Sequence, residues 1–347
     1  MKPEFDPNDI GIANGNIFGF PVSEEEAKIV IIPVPWDATA SYGKGTSDGP
    51  QAILQASTQL DFFHPELPKA YETAVFMTPI SEEWKEINEA LCLEVVPYLD
   101  YLEQGGKLSD SKEYQGLIGR VSEAQNALKE HLKERALELI DRQQIPAVLG
   151  GEHSTILGNI QAINERYEHF GILQIDAHAD LRDAYEGFEQ SHASIMFNVL
   201  KSCQNMRQLV QVGIRDICDA EYELTEESTR ISCFFDWDLK KAGYEGKSWD
   251  HLCDQILERL PEHVYLSFDI DGLRPELCPN TGTPVPGGFQ LEEVSFLLFK
   301  LVHSGRKIIG FDLNEVAPDP NSEWDANVGA RALWELVCAA ELSRRKA

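Results

Sequence analysis

One pattern limits this chain more than any other: short apolar runs recur along it, separated by longer amphipathic stretches. The runs are Lys28–Val34, Thr73–Met77, Ile145–Leu149, Gly171–Ile175, Leu209–Val212, Ile231–Phe235, His263–Phe268 and Lys307–Phe311. Most lack apolar/polar alternation, so they read as strands buried on both faces. Strand, helix, strand, repeated, predicts an α/β fold of three layers, α-β-α, around a mostly parallel sheet of about eight strands. Ser122–Asp141, rich in Ala, Leu, Glu and Lys, is a helix by propensity, with Ser122 and Gln125 spaced as a capping box at its start. Gln290–His303 and Ala330–Arg345 read as further helices. Residues 1–21 read as an N-terminal arm and residues 22–347 as a single domain. The acidic segment around 82–114, with Gly105 and Gly106, reads as a helical insertion.

Charge narrows the partners. Lys and Arg total 30 against 58 Asp and Glu, a formal net charge of −28. Such a surface repels phosphate backbones and anionic membranes, so neither nucleic acid nor membrane is an expected partner, while a cationic substrate is favoured. No window reaches the roughly 18 apolar residues a membrane span needs. Met1–Ile10 has no basic stretch leading into an apolar run, and the expected location is the cytoplasm. The seven cysteines are scattered with no Cys-x-x-Cys, which argues against disulfides and against a thiolate metal cage.

In parallel sheets, ligands gather beyond the carboxyl ends of the strands. Four of the runs are followed there by unusual polar residues: Gly150–Ser154 (Gly-Gly-Glu-His-Ser), Asp176–Asp180 (Asp-Ala-His-Ala-Asp), Asp269–Asp271 and Asp312–Glu315. In an extended chain, alternate residues project to one side, which would bring Asp176, His178 and Asp180 together, and likewise Asp269 and Asp271. Carboxylates crowded at a buried sheet end repel one another and resist desolvation. Two divalent cations remove that conflict, with His153 and His178 completing the shell. The candidate metal ligands are therefore His153, Asp176, His178, Asp180, Asp269 and Asp271. An oxygen-rich, sulfur-free shell suits Mn2+ first, with Ni2+ the main alternative. A pair of such ions brings a shared water close to ionisation at neutral pH, a nucleophile suited to a planar, electron-poor carbon.

At these residues the chain resembles the ureohydrolase family of arginases, agmatinases and formimidoylglutamases, over about residues 28–336. Gly-Gly-Glu-His-Ser, Asp-Ala-His-Ala-Asp and Ser-Phe-Asp-Ile-Asp-Gly-Leu match its metal motifs; Thr281–Pro284 and Gly45–Pro50 match as well. The resemblance implies the arginase-like fold and a binuclear-metal hydrolase that cleaves a guanidino C–N bond to release urea and an amine. It implies that His153 and Asp180 bind one metal, that His178 and Asp271 bind the other, and that Asp176 and Asp269 bridge both. It casts Glu315 as the acceptor of the guanidinium, His192 as the proton shuttle, and Asp271 as a further catalytic group beside the intermediate. Thr283 and Trp324 are the expected additional substrate contacts. Homotrimers or homohexamers are the expected assembly.

Two departures weigh against arginine as substrate: Arg182 stands where arginases carry Asn, and Cys218 where they carry an acid for the substrate's α-amino group. The expected substrate is agmatine-like. Free guanidine stands next, followed by arginine, formimidoylglutamate and guanidinobutyrate; a silent partner subunit is the least favoured reading. The aromatic, glycine-rich Asn14–Pro21 stretch is a candidate cover for a neighbouring subunit's pocket. Arg274, where many relatives have Asp, is a candidate for a substrate carboxylate or a surface ion pair.

Overall fold

All eight apolar runs are strands. The computed structural model describes residues 5–346. In chain order the strands are β1 (Ile29–Val34), β2 (Val75–Met77), β3 (Ile145–Gly150), β4 (Phe170–Ile175), β5 (Met206–Ile214), β6 (Ile231–Phe235), β7 (His263–Asp269) and β8 (Lys307–Asn314). They form one sheet in the order β2-β1-β3-β8-β7-β4-β5-β6, and every pairing is parallel. The expected sheet was mostly parallel; the observed one is wholly so. The helices are α1 (Gly49–Ala56), α2 (Glu82–Glu103), α3 (Lys112–Asp141), α4 (Leu157–Arg166), α5 (Ile195–Ser202), α6 (Asp219–Glu227), α7 (Asp236–Tyr244), α8 (Trp249–Leu257), α9 (Leu291–His303) and α10 (Trp324–Lys346).

Side-chain alternation along the strands divides the interior into two cores. Ile29, Ile31, Leu149, Leu173, Leu266 and Phe311 face the core closed by α1, α8, α9 and α10. Val30, Ile32, Val148, Ile172 and Tyr265 face the one closed by α2, α3, α4 and α5. Both faces of the central strands are thus dry, the physical reason their sequences are continuously apolar.

The chain builds the sheet outward in both directions, then returns to fill its middle. β3 and β4 are consecutive in sequence, yet β8 and β7 lie between them. This places a topological switch at the centre of the sheet, where a crevice opens beyond the carboxyl ends of the strands.

Two expectations need correction. Helix α3 begins at Lys112, where the Ser111 hydroxyl accepts from the Tyr114 amide at 3.2 Å. Ser122 and Gln125 are mid-helix and form no capping box at its start. Gly116 and Gly119 weaken the helix signal of the first turns, by roughly 1 kcal/mol each relative to Ala. Leu117 and Val121, buried on the same face as Leu128 and Leu132, override it. Likewise α10 starts six residues before Ala330, at Trp324.

Within the arm, Ile17, Phe18 and Phe20 pack into the core of their own chain. Phe18 and Phe20 are fully buried, with Phe18 stacked edge-on to Trp334 at 4.9 Å and Phe20 on Phe62 at the same distance. Asn16 pins this turn: its amide nitrogen donates to the Phe20 and Val75 carbonyls, and its oxygen accepts from Ile17 and Met77.

Candidate metal centre

The four central strands, β3, β8, β7 and β4, each deliver one part of a buried polar cluster at their carboxyl ends. After β3 the chain turns sharply through Gly150 and Gly151. A Cβ on Gly151 would sit 1.8 Å from the Trp36 carbonyl oxygen, so only glycine lets the segments after β1 and β3 close together. The turn presents His153, which is fully buried. Its Nδ1 lies 3.2 Å from Asp176, 2.9 Å from Asp180 and 3.5 Å from Asp269. Its Nε2 lies 2.8 Å from the Ser267 hydroxyl, which donates to Asp312 at 3.1 Å. The Ser267 and Asp312 oxygens fix Nε2 as the protonated nitrogen of the neutral ring and leave the Nδ1 lone pair aimed at the cluster.

The extended-chain argument gives the right convergence for the wrong local reason. β4 ends at Ile175, and Asp176–Asp180 is not a strand. His178 is held by an isolated parallel bridge to Asp216. Asp180 adopts a left-handed backbone (φ 55°), which turns its carboxylate back to His153. Asp271 is carried on the short 3-10 turn Ile270–Gly272 that Asp269 caps.

Three of the carboxylates are oriented by donors around them. Asp176 accepts from the His178 amide at 2.6 Å on one oxygen and from Gln174 Nε2 at 2.7 Å on the other; Gln211 fixes Gln174 in turn. Asp271 accepts from the Ala177 amide at 3.0 Å, and Asp269 from the Asp271 amide at 2.9 Å. The Arg215 guanidinium donates to the Asp271, Leu273 and Val285 carbonyls and so holds the Asp271 turn in place. His178 Nδ1 is 3.0 Å from Asp271 and 3.7 Å from Asp176.

Two groups of potential ligand atoms result, His153/Asp176/Asp269 and Asp176/His178/Asp271, and Asp176 belongs to both. Asp180 joins through His153. The donor set fits a pair of hard or borderline divalent cations: carboxylate oxygen and imidazole nitrogen, no sulfur, almost no solvent. His153 Nδ1 faces the Asp176, Asp180 and Asp269 carboxylates, as a nitrogen that could ligate a metal would.

Protonation in the metal-free chain tells the same story. Burial, and then the Asp176 charge, push Asp180 up to about 7. Burial with Asp271 and Asp176 raises Asp269 well above the carboxylate range. Burial opposes a charged imidazole, but Asp176 and Asp180 outweigh it at His153, which is raised well above its usual value. Asp271 and Asp176 do the same for His178, pushing it up to about 12.

Glu315 is buried beside the cluster, with a left-handed backbone (φ 64°) just after β8. One carboxylate oxygen accepts from the His153 amide at 2.7 Å, and the other faces Gly282, whose Cβ would lie 3.4 Å away. Burial and the neighbouring Glu152 raise Glu315 well above the carboxylate range.

A cavity of about 150 Å³ opens beside the cluster, lined by His178, Asp180, His192 and Thr283 together with Arg182, Tyr185, Asp216 and Glu221. The Thr283 hydroxyl donates to Asp271 at 3.3 Å. Trp324 is not on this wall; it is half exposed, and its indole donates to the Glu276 carbonyl. The aromatic wall is Tyr185, packed under the Arg182 guanidinium at 4.7 Å and edge-on to His192 at 5.9 Å. Arg274 makes no ion pair with any described residue. Cys218 caps α6, and Glu221 completes that capping box.

Sequence reasoning passed over the segment after β1. The rule that flagged four strand ends applies equally there. Asp37 and Thr39 are buried, Ser41 reaches the cavity, and the Thr39 hydroxyl donates to Glu152.

A buried oxygen and nitrogen cluster at the switch point of a parallel sheet is a candidate metal centre of an α/β fold. Residues 27–339 match the Arginase family model, and the chain belongs to that family. It is a ureohydrolase, a hydrolase acting on amidino groups. An N(1)-aminopropylagmatine ureohydrolase of Synechocystis sp. is 30% identical over 325 residues, 93% of this chain and 92% of its own. An agmatinase of Bacillus cereus is 28% identical over 302 residues, 85% of this chain and 86% of its own. In fold, the chain matches an agmatine ureohydrolase of Thermoplasma volcanium with a TM-score of 0.73, at 22% identity and covering 95% of each chain.

Proposed function

We propose that this enzyme hydrolyses a small cationic guanidino compound of the agmatine type to urea and an amine, at a centre of two divalent cations, Mn2+ first and Ni2+ next. The observation that carries this reading is the convergence of six ligand side chains beside a buried glutamate with one oxygen left open. His153 and Asp180 would hold one ion, His178 and Asp271 the other, with Asp176 and Asp269 between them. Bound there, the ions would supply an activated water and Lewis-acid polarisation. Glu315 receives the guanidinium on its open oxygen; the missing side chain of Gly282 leaves the space. Thr283 orients Asp271. His192 manages the proton that the leaving nitrogen needs. Asp216, exposed at the mouth, and Glu221 offer negative charge to a distal ammonium group.

Free guanidine is the second reading, because a cavity of about 150 Å³ with Tyr185 and Arg182 on its wall is small. Residues 22–347 act in this reading as one catalytic domain, with 1–21 as its arm and 82–114 as an insertion. The assembly is a homotrimer or homohexamer in the cytoplasm; light scattering on the purified protein measures its size.

The test is urea release from agmatine, N(1)-aminopropylagmatine, guanidinobutyrate, arginine, formimidoylglutamate and guanidine, with protein loaded separately with Mn2+ and Ni2+. Strongest turnover of an agmatine-type amine is expected. Preferred turnover of guanidine establishes the second reading, and no urea from any compound at full metal loading overturns both.

A further inference from the structure

His192 cannot reach the cavity through both of its nitrogens. Its Nδ1 lies 2.9 Å from the Thr39 carbonyl oxygen, which can only accept, so Nδ1 carries a proton. Nε2 of the neutral ring is then a lone pair, and the group facing it is the Ser41 hydroxyl at 3.1 Å. Ser41 lines the same cavity as His178, Asp180 and Thr283. The hydroxyl therefore meets the imidazole's free nitrogen at the wall of that cavity.

The surrounding structure fixes this placement. Asp37 exchanges two hydrogen bonds with Asn88 of α2, at 2.8 and 2.9 Å, and accepts from the Gly45 amide at 2.9 Å. Lys44 donates to the Asp37 carbonyl at 2.8 Å, which closes the loop on itself. Thr39 donates to Glu152, and Gln125 of α3 donates both to Thr39 and to the Gln190 carbonyl, two residues before His192. One glutamine thus ties the Ser41 loop to the His192 loop.

We propose that Ser41 is the relay hydroxyl through which His192 exchanges protons with the reacting centre; this rests on the urea-releasing reading of the site. As water adds to the guanidino carbon, Ser41 Oγ takes the proton released and passes its own to His192 Nε2. On collapse the transfer reverses. Nε2–H returns its proton to Oγ, and Oγ–H protonates the leaving nitrogen as the C–N bond breaks and its electron pair moves onto nitrogen. Oγ and the imidazole finish as they began, and no other reactant is consumed. Burial holds the imidazole down to about 4, so it is neutral at rest and gives its proton back readily.

The experiment compares the metal-loaded wild type with Ser41→Ala, Ser41→Thr, His192→Asn and the Ser41→Ala/His192→Asn pair. kcat, KM, solvent isotope effect and bound metal are measured for each. Loss of a positioned proton donor lowers kcat by about 10²-fold or more. Ser41→Ala and His192→Asn are each expected to show that loss with KM little changed and metal content intact. The pair should be no worse than the poorer single variant, since the two groups act as one path. Ser41→Thr, which keeps the hydroxyl, should restore most of the rate. Independent losses that multiply in the pair, a Ser41→Ala rate within about twofold of wild type, or loss of metal from Ser41→Ala would each overturn the relay. Absence of urea from the wild type would instead overturn the reading of the site.

Discussion

At the scale of single residues, Asp176 touches most of the centre. One oxygen is drawn to His178, the other to His153 and Gln174, and it belongs to both groups of ligand atoms. Replacing it with Asn keeps the shape but removes the charge that both imidazoles face. Asp176→Asn is therefore expected to hold less than one metal per chain and to lose at least ~10³-fold in urea release, with its fold retained; full metal content with full activity would contradict this. The convergence of the six candidate ligands was legible because a buried sheet edge tolerates Asp and His only for a reason. Ser41, Thr39 and Gln125 were not. A serine seven residues past an apolar run carries no signal of its own, and its meaning comes from a loop closed by Asn88 on a distant helix.

Elements were legible in proportion to how dry they are. All eight strands could be read because the central ones are buried on both faces, which leaves their sequences apolar throughout. The start of α3 was hidden because tertiary burial of Leu117 and Val121 outvotes two glycines, and a local reading sees only the glycines. The arm's aromatic residues announce burial without saying against which surface; Phe18 and Phe20 meet the core of their own chain. Phe18, at φ 58°, sits in a conformation that few non-glycine residues adopt, and Asn16 holds it there. Asn16→Ala removes the side-chain partner of the Ile17 and Met77 amides and the Val75 carbonyl, at roughly 1–3 kcal/mol for each group that finds no water. The expected result is unfolding at a lower denaturant midpoint, by the equivalent of about 2–4 kcal/mol, with kcat and KM unchanged. Weaker substrate binding without loss of stability would show instead that the arm serves the pocket.

For the whole molecule, the cluster links metal, pH and stability. In the metal-free chain, Asp180 is raised to about 7, Asp269 and Glu315 lie higher, His153 is raised and His178 reaches about 12. Every one of these groups binds its proton more tightly folded than unfolded. Stability that depends on such protons is complete below the unfolded pKa and drains away as pH rises toward the folded one. His192, lowered to about 4, has the opposite sign, but its contribution is spent once pH exceeds about 6.5. Between about pH 6.5 and 8.5 the remaining terms agree in sign, at up to about 1.4 kcal/mol per pH unit for each proton retained. Bound cations replace those protons and abolish the slope, while adding about 2.7 kcal/mol per site at a hundredfold excess over Kd. The chelated protein is accordingly expected to melt at progressively lower temperature across this window, and the metal-loaded protein to melt higher and at a nearly constant temperature. Scanning calorimetry on both forms measures it. A chelated form whose melting temperature stays flat or rises toward pH 8.5 would mean that the carboxylates and imidazoles do not hold these protons, and that the cluster tolerates its own charge without cations.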